Sequence, residues 1–261
     1  MFKEPLALRC PGLFITGTDT GVGKTVIACA IAHVLKRQQP GARVGVCKPL
    51  ASGCRKMREG LVSEDALALA YFADCRQMLS VISPVTYAPP LAPAVAAETT
   101  GVPVDFEAVA RSLHLLDESN DFLLVEGVGG LMVPIDGRDP QLTVLDLIAA
   151  IGYPVVIVTR ALLGTLNHTA MTVALLSQRG CRIAGLVING FVTDSSPSDR
   201  QTDLSMQTNR AWLQKMTGVP ILATVPACPP AEVAPHKGRI PEAIMDAVAT
   251  SYWPDVAKKA R

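Results

Sequence analysis

The sequence predicts an α/β fold in which a mostly parallel sheet carries helices on both faces. Six short apolar runs, 13–16, 43–47, 122–125, 155–159, 183–188 and 221–225, are rich in β-branched residues and bounded by Gly or Pro. Their hydrophobicity is continuous rather than alternating, as in strands covered on both sides. Helix-like stretches fall at 24–38, 64–72, 106–116, 142–150, 166–179 and roughly 200–216. Strands that alternate with helices imply right-handed crossovers and parallel pairing.

The totals agree with one such unit. A chain of 261 residues, 49% hydrophobic, buries roughly three quarters of its unfolded surface and stands near the upper size of a single core. Residues 1–261 therefore read as one domain, with the pattern fading after 226. The formal net charge is +1, so no bulk field draws in nucleic acid or an anionic membrane, and any anion must be bound locally. The seven cysteines contain no C-x-x-C pair and are odd in number, which argues against a disulfide frame or a zinc site. No apolar run approaches the roughly 18 residues of a membrane span, and residues 1–9 lack the apolar core of a leader. A soluble cytoplasmic protein is expected.

The first strand runs into Gly17-Thr18-Asp19-Thr20-Gly21-Val22-Gly23-Lys24-Thr25, and the first helix starts at Lys24. That order suits a phosphate loop: backbone N–H groups and a helix N-terminus surround phosphate, Lys24 reaches its β and γ groups, and the Thr25 hydroxyl meets magnesium. Five residues separate Gly17 from Gly23 where the usual pattern has four.

The second strand ends in Cys47-Lys48-Pro49-Leu50-Ala51-Ser52-Gly53, which puts Lys48 and a hydroxyl at the strand end where open α/β sheets bind ligands. An ordinary solvated lysine is the alternative. The segment Ser63-Glu64-Asp65-Ala66-Leu67 reads as a capped helix start, its acids either placed at a positive dipole end or, for one of them, holding magnesium.

The third strand ends in Glu126-Gly127-Val128-Gly129-Gly130, an acid suited to a hard cation followed by glycines that let backbone approach phosphate closely. A structural glycine turn is the plainer reading. After 155–159 comes Leu163-Gly164-Thr165-Leu166-Asn167-His168, a helix start whose N–H groups form a candidate carboxylate site. His168 reads there as a satisfied polar residue or a catalyst. Asn189 ends the next strand, where its amide could pair with an adenine edge. Segments 83–103 and 192–200 read as long surface loops, either functional or merely connecting, and 241–252 as a terminal helix.

In order and spacing, over about residues 12–190, Gly17 to Thr25, Lys48 to Gly53, Ser63 to Leu67, Val125 to Gly130 and Leu163 to His168 resemble dethiobiotin synthetases of the P-loop NTPase superfamily. The resemblance implies a site where ATP, magnesium, carbon dioxide and 7,8-diaminononanoate meet. A substrate amine becomes a carbamate, the carbamate takes the γ-phosphoryl group, and the second amine displaces phosphate to close a ureido ring. It further implies that Lys24, Lys48 and Thr20 are catalytic. Thr25, Asp65 and Glu126 would hold magnesium. Thr20, Lys48 and Ser52 would face carbamate and phosphate. Gly21, Val22, Gly23, Lys24, Thr25, Glu126, Gly129 and Asn189 would bind the nucleotide, Asn189 reading adenine.

In relatives, a helix N-terminus of the neighbouring subunit holds the far carboxylate of the substrate. The resemblance therefore implies a two-fold homodimer in which Gly164, Thr165, Leu166 and Asn167 complete the partner's site. Two positions depart from the pattern: Gly21 stands where some relatives carry an acid, so no general base is assigned there, and Gly190 stands where an acid is common.

Three other readings compete. Partition and septum-placement ATPases carry a signature lysine where this chain has Asp19. Cobyrinate-type amide ligases need an added glutaminase domain, for which no length remains. A non-catalytic binding module does not require the full set of Lys24, Thr25, Lys48, Asp65 and Glu126.

Overall fold

A computed structural model describes residues 5–58, 60–192 and 200–258, residues 200–204 as backbone only. The surface loop expected at 192–200 lies, apart from its two end residues, outside them. All six expected strands join one parallel sheet. They are β1 (Gly12–Gly17), β2 (Val44–Cys47), β7 (Phe122–Glu126), β10 (Val155–Arg160), β11 (Ile183–Phe191) and β12 (Ile221–Pro226). Smaller strands lie between: β3 (Leu50–Ala51), β4 (Arg55–Met57), β5 (Gly60–Val62), β6 (Val85–Thr86), β8 (Pro134–Asp136) and β9 (Asp139–Thr143).

The sheet order is β12-β11-β10-β1-β7-β2. Because the strands are parallel, their carboxyl ends share one edge. The register pairs Ile15 with Glu126, Gly17 with Val158, Cys47 with Val125 and Arg160 with Asn189. That edge therefore collects the phosphate loop, Lys48, Glu126, Arg160 and Asn189.

Alternate residues of each strand feed separate cores. Leu13 and Ile15 pack on one face with α1 (Lys24–Gln38), α2 (Glu64–Ala73), α9 (Glu242–Ala249) and α10 (Trp253–Ala257). Phe14 and Val125 pack on the other with α5 (Phe106–Ser119), α6 (Val144–Ile151), α7 (Thr165–Gln178) and α8 (Arg200–Thr217). Both faces of the sheet are thus covered, which is why the strand sequences are continuously apolar. Local signals fix the helix starts. The Ser63 hydroxyl accepts from Ala66 N at 3.2 Å ahead of α2, and Asp146 Oδ2 accepts from Thr143 N at 2.9 Å ahead of α6.

Two expectations need correction. Segment 83–103 is not a plain loop, since β6 pairs with β3 and residues Pro93–Thr100 form α4, after the short α3 (Leu79–Ile82). Pro93 opens α4, where its missing N–H costs nothing, alanines favour the helix, and Gly101 ends it at φ +70°. Leu142 and Thr143 belong to β9 rather than to the helix that follows. The terminal helix expected at 241–252 is α9, and a further short helix, α10, follows it with Pro254 in its first turn, where proline is tolerated. The buried indole of Trp253 anchors α10, donating to Val248 O at 2.8 Å.

Candidate functional site

A cavity of about 430 Å³ opens at the carboxyl edge of β1, β7 and β2. From the loop after β1, Thr20, Gly21, Gly23, Lys24 and Thr25 line it; from the other strand tips, Lys48, Glu126 and Gly129; from the segments beyond, Ser52 and Asp65. Residues distant in the sequence thus meet in one concavity. Pro90 and Val128 also line it, so the segment between β6 and α4, part of the stretch 83–103 read as either functional or connecting, reaches the site.

The loop conformation depends on its glycines. Gly23 precedes α1 at φ +96°, and a Cβ there would lie 2.1 Å from Asn189 Nδ2, so no side chain fits. That amide nitrogen donates to Val22 O at 2.9 Å, which makes Asn189 a brace of the loop. Val22 itself is buried, its side chain in the core. Lys24 Nζ donates to Asp19 O at 2.9 Å and so curls back along the loop.

Beside it lies a buried ionic cluster. Lys48 is 4% exposed and is no surface lysine. Its ammonium contacts Glu126 Oε1 at 2.7 Å, Asp65 Oδ2 at 2.9 Å and Gly127 O at 3.2 Å. The Thr25 hydroxyl donates to Glu126 Oε1 at 2.8 Å. Glu126 is 1% exposed, and its Oε2 has no hydrogen-bond partner among the described residues.

Burial shapes the charges of this cluster. It alone would lower the pKa of Lys48, but Glu126 and Asp65 outweigh it and hold the ammonium above its ordinary range. It pushes the Glu126 carboxyl up against the pull of Lys48. Asp65 is half-exposed, and there Lys48, Thr25 and Lys24 overcome burial and keep the carboxyl below its usual range. Burial and the neighbouring Lys48 bring Lys24 down to about 8.

The start of α7 lies outside this cavity. Gly164 caps the helix at φ +93°. Thr165 offers a substrate neither side chain nor N–H, because its hydroxyl meets Thr159 Oγ1 at 2.7 Å in a buried cluster and its N–H donates to Leu162 O at 3.2 Å. First-turn geometry leaves the N–H groups of Leu166 and Asn167 for a ligand. Asn167 and His168 are exposed, and Leu163 beside them is 87% exposed. The sequence reading also missed Arg160, whose Nη2 donates to Thr20 O at 3.0 Å. As the last residue of an apolar strand, it gave no signal of that contact.

Comparison with known proteins identifies the family. A family model described as an AAA domain matches residues 11–233. The ATP-dependent dethiobiotin synthetase BioD of Thermodesulfovibrio yellowstonii is 37% identical over 219 residues, which covers 82% of this chain and 88% of the relative. The protein of the same name from Anaeromyxobacter sp. (strain K) is 41% identical over 215 residues, covering 82% and 89%. The MinC:MinD cell division protein complex of Aquifex aeolicus superposes with a TM-score of 0.56 over 97% of this chain and 98% of that chain. At 14% identity that likeness is one of fold alone. By sequence, the chain belongs to the ATP-dependent dethiobiotin synthetase family.

Proposed function

We propose that this chain converts 7,8-diaminononanoate, carbon dioxide and ATP into dethiobiotin, ADP and phosphate. The observation that carries the reading is the cluster itself: Lys48, buried beside Glu126 and Asp65, shares one cavity with Lys24 and the phosphate loop. One substrate amine adds to carbon dioxide and loses a proton, giving a carbamate. A carbamate oxygen attacks the γ-phosphorus, ADP leaves, and a carbamic-phosphoric anhydride forms. The second amine attacks its carbonyl carbon, phosphate departs, and the ureido ring closes.

The chemistry asks the protein mainly to align reactants and to neutralise a transferring phosphoryl group. Lys24 serves the β and γ phosphates. Thr20, Lys48 and Ser52 serve the carbamate end. The N–H groups of Gly21, Val22, Gly23 and Gly129 serve phosphate oxygens, and Asn189, whose Nδ2 is held by Val22 O, would read adenine with its amide oxygen.

The donor set also fits magnesium. Thr25, Asp65 and Glu126 offer hard oxygens, and Glu126 Oε2 is a buried acceptor without a partner among the described residues. Such an ion keeps several waters and would need only one or two protein carboxylates to hold it. When bound, it supplies positive charge to the phosphates.

We further propose a two-fold homodimer, in which the start of α7 holds the far carboxylate of the partner's substrate, and a cytoplasmic location. The exposed Leu163 and the position of α7 outside the cavity support the composite site. No described helix is long and apolar enough to cross a membrane.

Purified protein incubated with ATP, magnesium, bicarbonate and 7,8-diaminononanoate should yield dethiobiotin by mass spectrometry. No product from protein shown to bind ATP would sink the reading. Glu126→Gln and Asp65→Asn should each raise the magnesium concentration needed for half-maximal rate. Unchanged titrations in both would remove magnesium from these residues.

A further inference from the structure

We propose that Arg160 is a positioning residue for the phosphate loop, one that aims the loop's N–H donors at the nucleotide before it binds. Arg160 ends β10, which pairs directly with β1, so its side chain reaches the loop that leaves β1. Its Nη2 donates to Thr20 O at 3.0 Å, and from the next strand tip Asn189 Nδ2 donates to Val22 O at 2.9 Å. The two braces fall on alternate carbonyls, either side of Gly21.

Peptide planarity turns this into a statement about the cavity. In a trans peptide the carbonyl of one residue and the N–H of the next point in opposite directions. Holding Thr20 O toward Arg160 therefore directs the N–H of Gly21 away from β10, and holding Val22 O toward Asn189 does the same for Gly23. Gly21 and Gly23 both line the cavity. Each sits at positive φ, +73° and +96°, in backbone that glycine leaves free to move. Without a brace that freedom must be given up on binding, which weakens affinity.

A plain structural role explains Arg160 less well. Its side chain is exposed, and among the described residues no carboxylate pairs with it. Its hydrogen bond goes instead to a carbonyl of a ligand-binding loop.

The inference rests on the proposed use of this loop for nucleotide. The test compares wild type with Arg160→Ala by calorimetry of ADP binding and by amide hydrogen exchange in the nucleotide-free protein. The loss of one exposed hydrogen bond should weaken ADP by about fivefold. Exchange in a peptide spanning residues 18–25 should quicken while the rest of the sheet and the melting temperature stay unchanged. Saturating ATP should return the KM for the diamine to the wild-type value. Wild-type exchange in that peptide, or an unchanged ADP Kd, overturns the inference while leaving the site's function standing. Failure of the wild type itself to bind ADP overturns both.

Discussion

Lys48 and Glu126 meet 2.7 Å apart at the tips of β2 and β7, both closed to solvent, and Asp65 and Gly127 O take the other two donors of the same ammonium. Lys48 is thus the counter-ion of two carboxylates. Removing one partner of a buried pair typically costs about 3–5 kcal/mol, because a charge is left uncompensated. Lys48→Met should therefore lower the melting temperature in metal-free buffer, and magnesium should restore part of the loss by replacing the missing cation. A metal-free Lys48→Met protein that melts with the wild type would show that the pair has no such role.

Lys24→Ala should abolish turnover while weakening ADP less. The charge it removes acts where negative charge redistributes, and such preorganised groups are worth several kcal/mol of barrier. A variant keeping more than about a tenth of wild-type kcat, a loss of only ~1.4 kcal/mol, would contradict the phosphate-loop role.

Nucleotide affinity should fall as pH rises above 8. Burial, then Lys48, brings Lys24 down to about 8 in the nucleotide-free protein, against the opposing pull of Glu126, Asp65 and Asp19. Phosphate favours the charged form and raises that pKa, so binding takes up a proton once the pH exceeds the free value. The linked loss approaches about tenfold per pH unit. Calorimetry in buffers of different ionisation enthalpy should register the uptake, and a flat affinity between about pH 7.5 and 9.5 would place Lys24 away from phosphate.

Asn167→Asp separates the start of α7 from the phosphate site. An acid in a first helical turn is favourable for the helix, so the protein should be no less stable, yet the new charge repels a substrate carboxylate. The KM for the diamine should rise by about tenfold, the equivalent of ~1.4 kcal/mol, with the KM for ATP near normal. Gly164→Pro should give the same pattern with some loss of stability, since its φ of +93° lies far from what proline allows. A diamine KM untouched by Asn167→Asp moves the carboxylate pocket elsewhere.

The six sheet strands were legible because burial on both faces keeps each run predominantly apolar, and Lys24–Gln38 because the loop's last glycine fixes where a helix can begin. The small hairpins were not. Asp136-Gly137 marks the turn between β8 and β9, but Pro134–Asp136 alone is too short for periodicity to register. From their places at strand and helix ends alone, Lys48 could equally be a solvated lysine and Asp65 a capping acid, and the resemblance to dethiobiotin synthetases supplied the roles expected of Lys48, Asp65 and Glu126. Their salt bridges could not be read, because they depend on the sheet order and on where α2 returns. Arg160 and Asn189 touch the loop only because β10 lies beside β1 and β11 beside β10, an order that no local pattern encodes.

The central place of β1 also bears on how the chain is made. Its partners Leu124 and Val155 lie roughly 110 and 140 residues beyond Leu13 and Phe14. At a synthesis rate of about 5–20 residues per second, the strand waits on the order of ten seconds with both edges open. For that interval Leu13, Phe14 and Ile15, all fully covered in the finished sheet, stand bare on the ribosome. The segment that becomes the phosphate loop's anchor therefore presents unpaired strand edges and apolar surface while the chain is being made, the kind of surface that favours aggregation.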